Sequence, residues 1–253
     1  MSTFALRGPG TGAVIRTETR LFVRELGAIF WIIAFPVLLL VILGLIPSFR
    51  EPSSDLGGAR IIDLYVPISI LLSMIMAAIM AMPPVVFGYR EGGVLRRLRT
   101  TPVRPLTLLG AQVLLHGAAV AVAGALVLVI ARTTFGTPLP AAPLWYLLAY
   151  VLALVVTFGL GAIVTAVSPN ARIGSVIGMI VFFASMLTAG VYFPVQATEG
   201  VIRQVLELTP LGAASEALHQ ATAGSMPDLK VLAVMVVWSV LFYGIAARTF
   251  RWE

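Results

Sequence analysis

The chain has 253 residues, 59% hydrophobic and 11% charged, with a net charge of +6 and a mean hydropathy of +1.01. Soluble domains are nearer one-quarter charged, so this composition excludes an ordinary globular domain. There are no cysteines, which excludes disulfides and thiolate metal sites and leaves the redox compartment open.

In chain order, residues 12–26 predict an interfacial helix. Arg16, Arg20 and Arg24 recur every four residues as a basic stripe, while Val14, Leu21, Phe22 and Leu26 fall on another face, the pattern of a helix lying in the headgroup plane. The mixed, charged residues ahead of the first apolar run are not those expected of a cleavable signal peptide. Charge-free runs then occupy Leu26–Phe49, Leu64–Tyr89, Pro105–Ala131, Thr133–Ala171, Ile173–Thr198 and Val231–Ala247. A helix crosses a bilayer with roughly 20 apolar residues. The runs predict six spans, at about 27–47, 63–88, 105–131, 144–167, 172–190 and 229–248. The last is short, and Lys230 and Arg248 at its ends can snorkel outward. Outer-membrane strands are excluded, because they alternate over only about ten residues.

Local signals refine the spans. Gly110, Gly117 and Gly124, each followed by alanine, predict a packing seam on the third. Gly174 and Gly178 form a GxxxG pair on the fifth. In "SPNARIGS" (168–175), Pro169 ends one helix and Asn170 is placed to cap the next. Residues 191–228 contain Pro194, Pro210, Pro227 and two short semi-apolar stretches, about 197–208 and 211–223. These are too short to span and suit re-entrant or interface-lying helices. With no repeat and only short loops, the expectation is one all-α integral membrane domain over 1–253.

Lys and Arg favour the cytoplasmic side of short loops. With both termini inside, 12 of the 17 basic residues are cytoplasmic and 5 are not. The positive charge is therefore matched to a lipid bilayer, with no reason to invoke nucleic acid.

The missing chemistry is informative. Lys230, the only lysine, precedes valine, so a phosphate-binding loop ending in Lys-Ser or Lys-Thr is impossible. No H-E-x-x-H or G-x-S-x-G pattern occurs, and no cofactor or metal site is expected on this chain. His116 and His219 are the only histidines. His116, on the third span, reads as a buried neutral imidazole bonded to a carbonyl or serine rather than a proton relay. Glu216 and His219 read as a surface pair. Spans without charge disfavour proton- or sodium-coupled carriers and charged filters. What is left is a path-forming unit with no energy source of its own.

Residues 90–105, "REGGVLRRLRTTPVRP", lie in the long inner loop between spans two and three. Val94, Leu95 and Leu98 project to one side of a helix and Arg96, Arg97 and Arg99 to the other. Glu91 is placed to open it against the dipole, and Pro102 to close it. The stretch resembles the coupling segment of the ABC-2 type permeases, matching at Glu91, Leu95, Leu98, Thr100, Thr101 and Pro102. "LTAGVYFPV" (187–195) and Thr209–Pro210–Leu211 resemble the family's ending of the fifth span and its outer helices. The resemblance covers essentially the whole chain, and its flavour is that of the daunorubicin-resistance-type drug exporters of actinobacteria.

The resemblance implies a multi-pass subunit of a bacterial plasma membrane, paired with a second permease, the same or a sister chain. It implies two copies of a separate ATPase subunit that bind ATP and Mg. Arg90 and Glu91 would meet that ATPase, Arg96, Arg97 and Arg99 would contact it or lipid phosphate, and closure of the ATPase would push the coupling segment and the interface helix. The substrate route would run between spans two and five. Met74, Met76 and Met80, with Met179, Phe182, Phe183 and Met186, are the candidate liners, since methionine and aromatics adapt to varied apolar ligands. The paucity of buried charge favours hydrophobic or amphipathic cargo over a sugar polymer. The alternatives are a polysaccharide or glycolipid exporter of the same family, and a scaffold or sensor subunit that moves nothing.

Overall fold

The computed structural model describes residues 11–53, 56, 58–94 and 105–250. Among them there are helices and turns but no strands. We number the helices α1 (Thr11–Arg24), α2 (Leu26–Gly44), α3 (Ile61–Glu91), α4 (Pro105–Phe135), α5 (Pro143–Val167), α6 (Ala171–Thr188), α7 (Gly200–Leu208), α8 (Pro210–Thr222) and α9 (Leu229–Thr249). Six of them, α2 to α6 and α9, are long and apolar enough to cross a membrane, in agreement with the six spans expected.

The bundle is organised around α3. Of its most apolar window 78% is buried, against 44% or less in the other spans. Ile62, Ile68, Ile70, Leu71, Leu72, Met74 and Ile75 are fully enclosed, as a helix apolar on every side should be. The other spans expose leucine and valine on one face, for example Leu144, Val237 and Val240, which in lipid carries no penalty.

Proline explains the irregularities of α2 and α3. A proline in a helix lacks the N–H that would pair with the carbonyl four residues back. Pro36 follows a π-helical turn at Phe30–Ala34, and Pro83–Pro84 follow another at Met76–Ala81. Widening the helix just before the proline relieves that conflict. The carbonyl that Pro36 cannot serve belongs to Ile32, and Ser73 Oγ on α3 donates to it at 2.7 Å. The two π turns face each other.

Glycines set the closest approaches. A Cβ on Gly161 would overlap the Ala78 carbonyl, and one on Gly174 would overlap the Phe87 ring. Gly178 lies against the Ile79 carbonyl. α5 and α6 thus both pack on the π turn and the last turns of α3. The glycine series of α4 behaves differently from the expected seam. Gly124 packs on Tyr150 and Ile70, but nothing approaches Gly117. The buried face is Ala111, Ala119, Ala123, Val127 and Ala131.

The segment after α6 supplies a second correction. α7 lies on the surface, exposing Val201, Ile202, Val205 and Leu208. α8 is enclosed within the bundle, with Leu211, Ala213, Ala214, Ala217, Leu218 and Ala221 at 0% exposure, packed against α3, α5 and α9. The interface-lying alternative therefore does not describe α8, which is enclosed by other helices. Its alanines are small enough to admit it between three helices. Thr209 caps it, accepting from Gly212 N at 3.1 Å, with Pro210 in the first turn.

Candidate coupling end and substrate groove

Chain direction brings the ends of α3, α5 and α9 and the start of α6 to one end of the bundle, together with α1. This is the arginine-rich end, carrying Arg90, Arg172 and Arg248 with Arg16, Arg20 and Arg24. The three α1 arginines are exposed, as an interfacial stripe requires. The opposite face of α1 docks on α4 through Phe22, whose ring meets that of His116 edge-on at 5.0 Å.

Beside that contact lies a cluster that sequence reasoning passed over. Glu18 on α1 is only 6% exposed. Its Oε2 accepts from the Tyr89 hydroxyl and from Gln112 Nε2, each at 2.5 Å. A buried carboxylate is costly unless its lone pairs are served, and here the donors come from two different helices. Glu18 thereby fastens α1 to the end of α3 and the first turns of α4. His116 is fully buried, and its ring Nδ1 sits 2.9 Å from the Gln112 carbonyl. The neutral, carbonyl-bonded reading of His116 fits this geometry. The signal for the cluster was present: Glu18 interrupts the arginine stripe, and Gln112 and His116 stand four apart in an otherwise apolar run.

Arg90 and Glu91 are turned into the chain. Arg90 donates from Nη1 to the Ser168 carbonyl at 2.7 Å and from Nη2 to the Thr165 carbonyl at 3.2 Å. Its guanidinium also lies over the rings of Phe250, 5.3 Å away, and Phe87, 5.9 Å away. One side chain thus links the ends of α3, α5 and α9. The carbonyls it serves belong to the last turn of α5, which has no intrahelical partners left to offer them. Glu91 is the last residue of α3, where it was expected to open the following helix. The run of α3 continues through Glu91 because Gly92 and Gly93, not Glu91, break it, Gly93 with φ of 65°. The Glu91 carboxylate nonetheless meets a helix N-terminus, that of α6, accepting from Ala171 N at 2.8 Å. Asn170 completes the same turn by accepting from Ile173 N at 2.9 Å, as expected of a cap. The remaining candidate coupling residues, Leu95, Arg96, Arg97, Leu98, Arg99, Thr100 and Thr101, lie outside the described residues, as does Pro102.

The candidate path residues divide into three places. Met76, Met80 and Phe182 line one groove of about 470 Å³ with Trp31, Ala81, Pro84 and Glu25. Its floor is where the two π turns meet. Met179 and Phe183 sit outside it, on an exposed stripe of α6 that also holds Val176, Ile180 and Leu187. Met186 is half-buried against the core, and Met74 is fully enclosed and outside that groove. Trp31 was not anticipated. It is signalled only by its place one helical turn before Pro36.

The far end of the bundle is also polar, and the sequence reading of it needs correction. Glu216 is 3% exposed, not a surface residue. It accepts from Gln196 Nε2 (3.2 Å), Arg203 Nη2 (3.2 Å) and Gln220 Nε2 (3.1 Å). Arg203 also pairs with Glu207, which in turn receives Lys230 Nζ at 3.1 Å. The α7 C-terminus is served by Trp238 Nε1, which donates to the Leu208 carbonyl at 2.9 Å. Burial pushes the His219 imidazole below its ordinary value, with Glu216 opposing and Arg203 reinforcing that shift. Burial of α8 carries Glu216 inward, which an i, i+3 spacing alone does not reveal.

The profile of the ABC-2 type transporter family matches residues 10–222. No curated protein matches the chain. The match takes in α1, the first five spans, α7 and α8, including the groove and all of the described coupling end except the close of α9. The chain therefore belongs to the ABC-2 type transporter family and is a membrane-spanning permease component of an ABC transporter.

Proposed function

We propose that the chain is the membrane half of an ATP-driven exporter of hydrophobic or amphipathic compounds in a bacterial plasma membrane. A separate ATP-binding subunit, carrying ATP and Mg, docks at the arginine-rich end, which faces the cytoplasm, and two permease chains pair across the exposed stripe of α6. The observation that carries this reading is the groove at the junction of the two π turns. Its walls are methionine, tryptophan, phenylalanine and proline, and its one charged liner is Glu25 at the basic end. Such a surface desolvates an apolar or cationic amphipathic molecule at little cost, whereas a sugar polymer would leave its hydroxyls unpaired. The π turns lie at Pro36 and Pro83–Pro84, where the helical ladder is already broken, so α2 and α3 bend there most easily.

Coupling would run through side-chain ties between helices, not through a catalytic group. Displacement of residues 95–104 by the ATPase pulls on the end of α3. Arg90 and Glu91 carry that displacement to the α5–α6 turn, and Glu18 carries it to α1.

The test uses the chain with its ATP-binding subunit in proteoliposomes. An amphipathic dye should stimulate ATP hydrolysis, and Met80→Trp, which fills the groove from an exposed position, should abolish stimulation while basal hydrolysis persists. Stimulation that survives Met80→Trp and Phe182→Ala would overturn the groove as the path. Failure of any amphipathic compound to stimulate, with clear stimulation by a lipid-linked glycan, would move the cargo to that class.

A further inference from the structure

Two cavities meet at the arginine-rich end, away from the substrate groove. The first, about 730 Å³, is lined by Arg90, Ser168, Pro169, Arg248 and Phe250 among others, with no acidic side chain among its described liners. The second, about 420 Å³, runs into the membrane-spanning part of the bundle between α3, α4, α5 and α9, and is almost wholly apolar. Val86, Leu109, Val113, Tyr243 and Ala246 form its walls. Phe250 lines both, so the arginine-lined space and the apolar one are neighbours on either side of that residue.

We propose that this pair of cavities binds one anionic phospholipid, its phosphate against Arg90 and Arg248 and an acyl chain in the apolar groove. Charge complementarity selects the headgroup. Arg248 is exposed in the last turn of α9 and has no carboxylate partner among the described residues. Glu91, adjacent to Arg90 in sequence, has an oxygen committed to Ala171 N. Arg90, which lines the larger cavity, is held in place by two carbonyls and the Phe250 ring, so it needs little further ordering to meet a ligand. Arginine with phosphate forms short, charge-assisted hydrogen bonds, and basic clefts between spans at the cytoplasmic side suit anionic headgroups. The apolar groove selects a chain-bearing ligand over free phosphate. Val113 and Tyr243, on its rim, are 40% and 41% exposed and give lipid a lateral entrance. Both cavities fall in the range of roughly 300–1,000 Å³ typical of ligand sites. A lipid seated there would wedge between the Arg90 tie and α9, and would make the coupling end sensitive to membrane composition.

Native mass spectrometry of the full-length chain in neutral detergent tests this, with phosphatidylglycerol, phosphatidylcholine of the same chains, and glycerol phosphate as probes. Phosphatidylglycerol should bind at about tenfold lower concentration than phosphatidylcholine. Arg248→Gln should erase that preference, and Val113→Trp should weaken both lipids. Arg16→Gln with Arg20→Gln, on the exposed basic stripe, should leave the preference intact. Melting temperatures without added lipid should be unchanged in Arg248→Gln, which separates lost binding from misfolding. Equal binding of the two lipids, a preference that survives Arg248→Gln, or equal loss in the α1 double variant would overturn the site. Glycerol phosphate binding as tightly as phosphatidylglycerol would identify a free-phosphate site and overturn the lipid assignment.

Discussion

The two ends of the bundle handle charge in opposite ways. At the far end, two clusters of acids and bases neutralise one another within the chain: Arg60 grips Asp63 through two bonds and reaches the Phe135 carbonyl, and Arg203 joins Glu207 and Glu216. At the arginine-rich end, Glu18 and Glu91 are served by neutral donors, a phenol, an amide and a backbone N–H, and Glu25 is exposed with no ion pair among the described residues. No carboxylate among the described residues pairs with Arg16, Arg20, Arg24, Arg172 or Arg248. A self-neutralised surface needs no partner. A surface whose outward bases, Arg16, Arg20, Arg24, Arg172 and Arg248, have no acidic partner among the described residues is set up to receive anionic ones.

Substitutions can break this contrast. The largest effect should come from Arg90→Ala, which strips a charged donor from two buried-end carbonyls. Hydrogen bonds to charged groups contribute about 1.5–3 kcal/mol each, so a loss on the order of 3 kcal/mol is expected in a detergent unfolding titration. Arg90→Lys should restore only part of it, because an ammonium cannot match the planar fork. Glu18→Ala comes next. It strands the Tyr89 and Gln112 donors at about 1–3 kcal/mol, and hydrogen exchange should show α1 detached while the far end stays protected.

At the far end, Glu216→Ala should cost about 1–2 kcal/mol, because Arg203 is 40% exposed and keeps Glu207. The increase in exchange should be confined to α7 and α8. Lys230→Ala should be within about 0.5 kcal/mol of the parent, as expected of a pair with one partner 53% exposed. A large effect there would break the contrast from the other side.

The smallest effect is a pH dependence. His219 in the folded chain has a lowered pKa, so the unfolded chain takes up the proton first as pH falls through about 6.5. The contribution of His219 on α8 to stability is full above that value and declines as pH drops below it. His219→Gln should flatten that slope, as read by melting temperature between pH 7.5 and 5.

The sequence shows how the fold could be read and where reading stopped. Six spans were legible because apolar runs of twenty residues have few other uses, and Asn170 was legible because capping depends on local geometry. The fastening of the helices was not. Arg90, Glu18 and Glu216 act across 78, 94 and 13 residues of chain. No local period encodes such pairings. The groove was half legible: methionines on α3 and a phenylalanine on α6 were expected, but the π turns that bring Trp31 beside them rotate side chains off the 3.6-residue register from which faces are projected.

The central claim is that the arginine-rich end seats an ATPase. The direct measurement is affinity capture of an ATP-binding cassette subunit that copurifies with the full chain, co-expressed with charge-reversed variants of the chain. Arg16→Glu, Arg20→Glu and Arg24→Glu together should reduce capture at least tenfold, about 1.4 kcal/mol, while Lys230→Glu at the far end leaves it unchanged. Undiminished capture by the α1 variant, or loss confined to Lys230→Glu, would contradict the account.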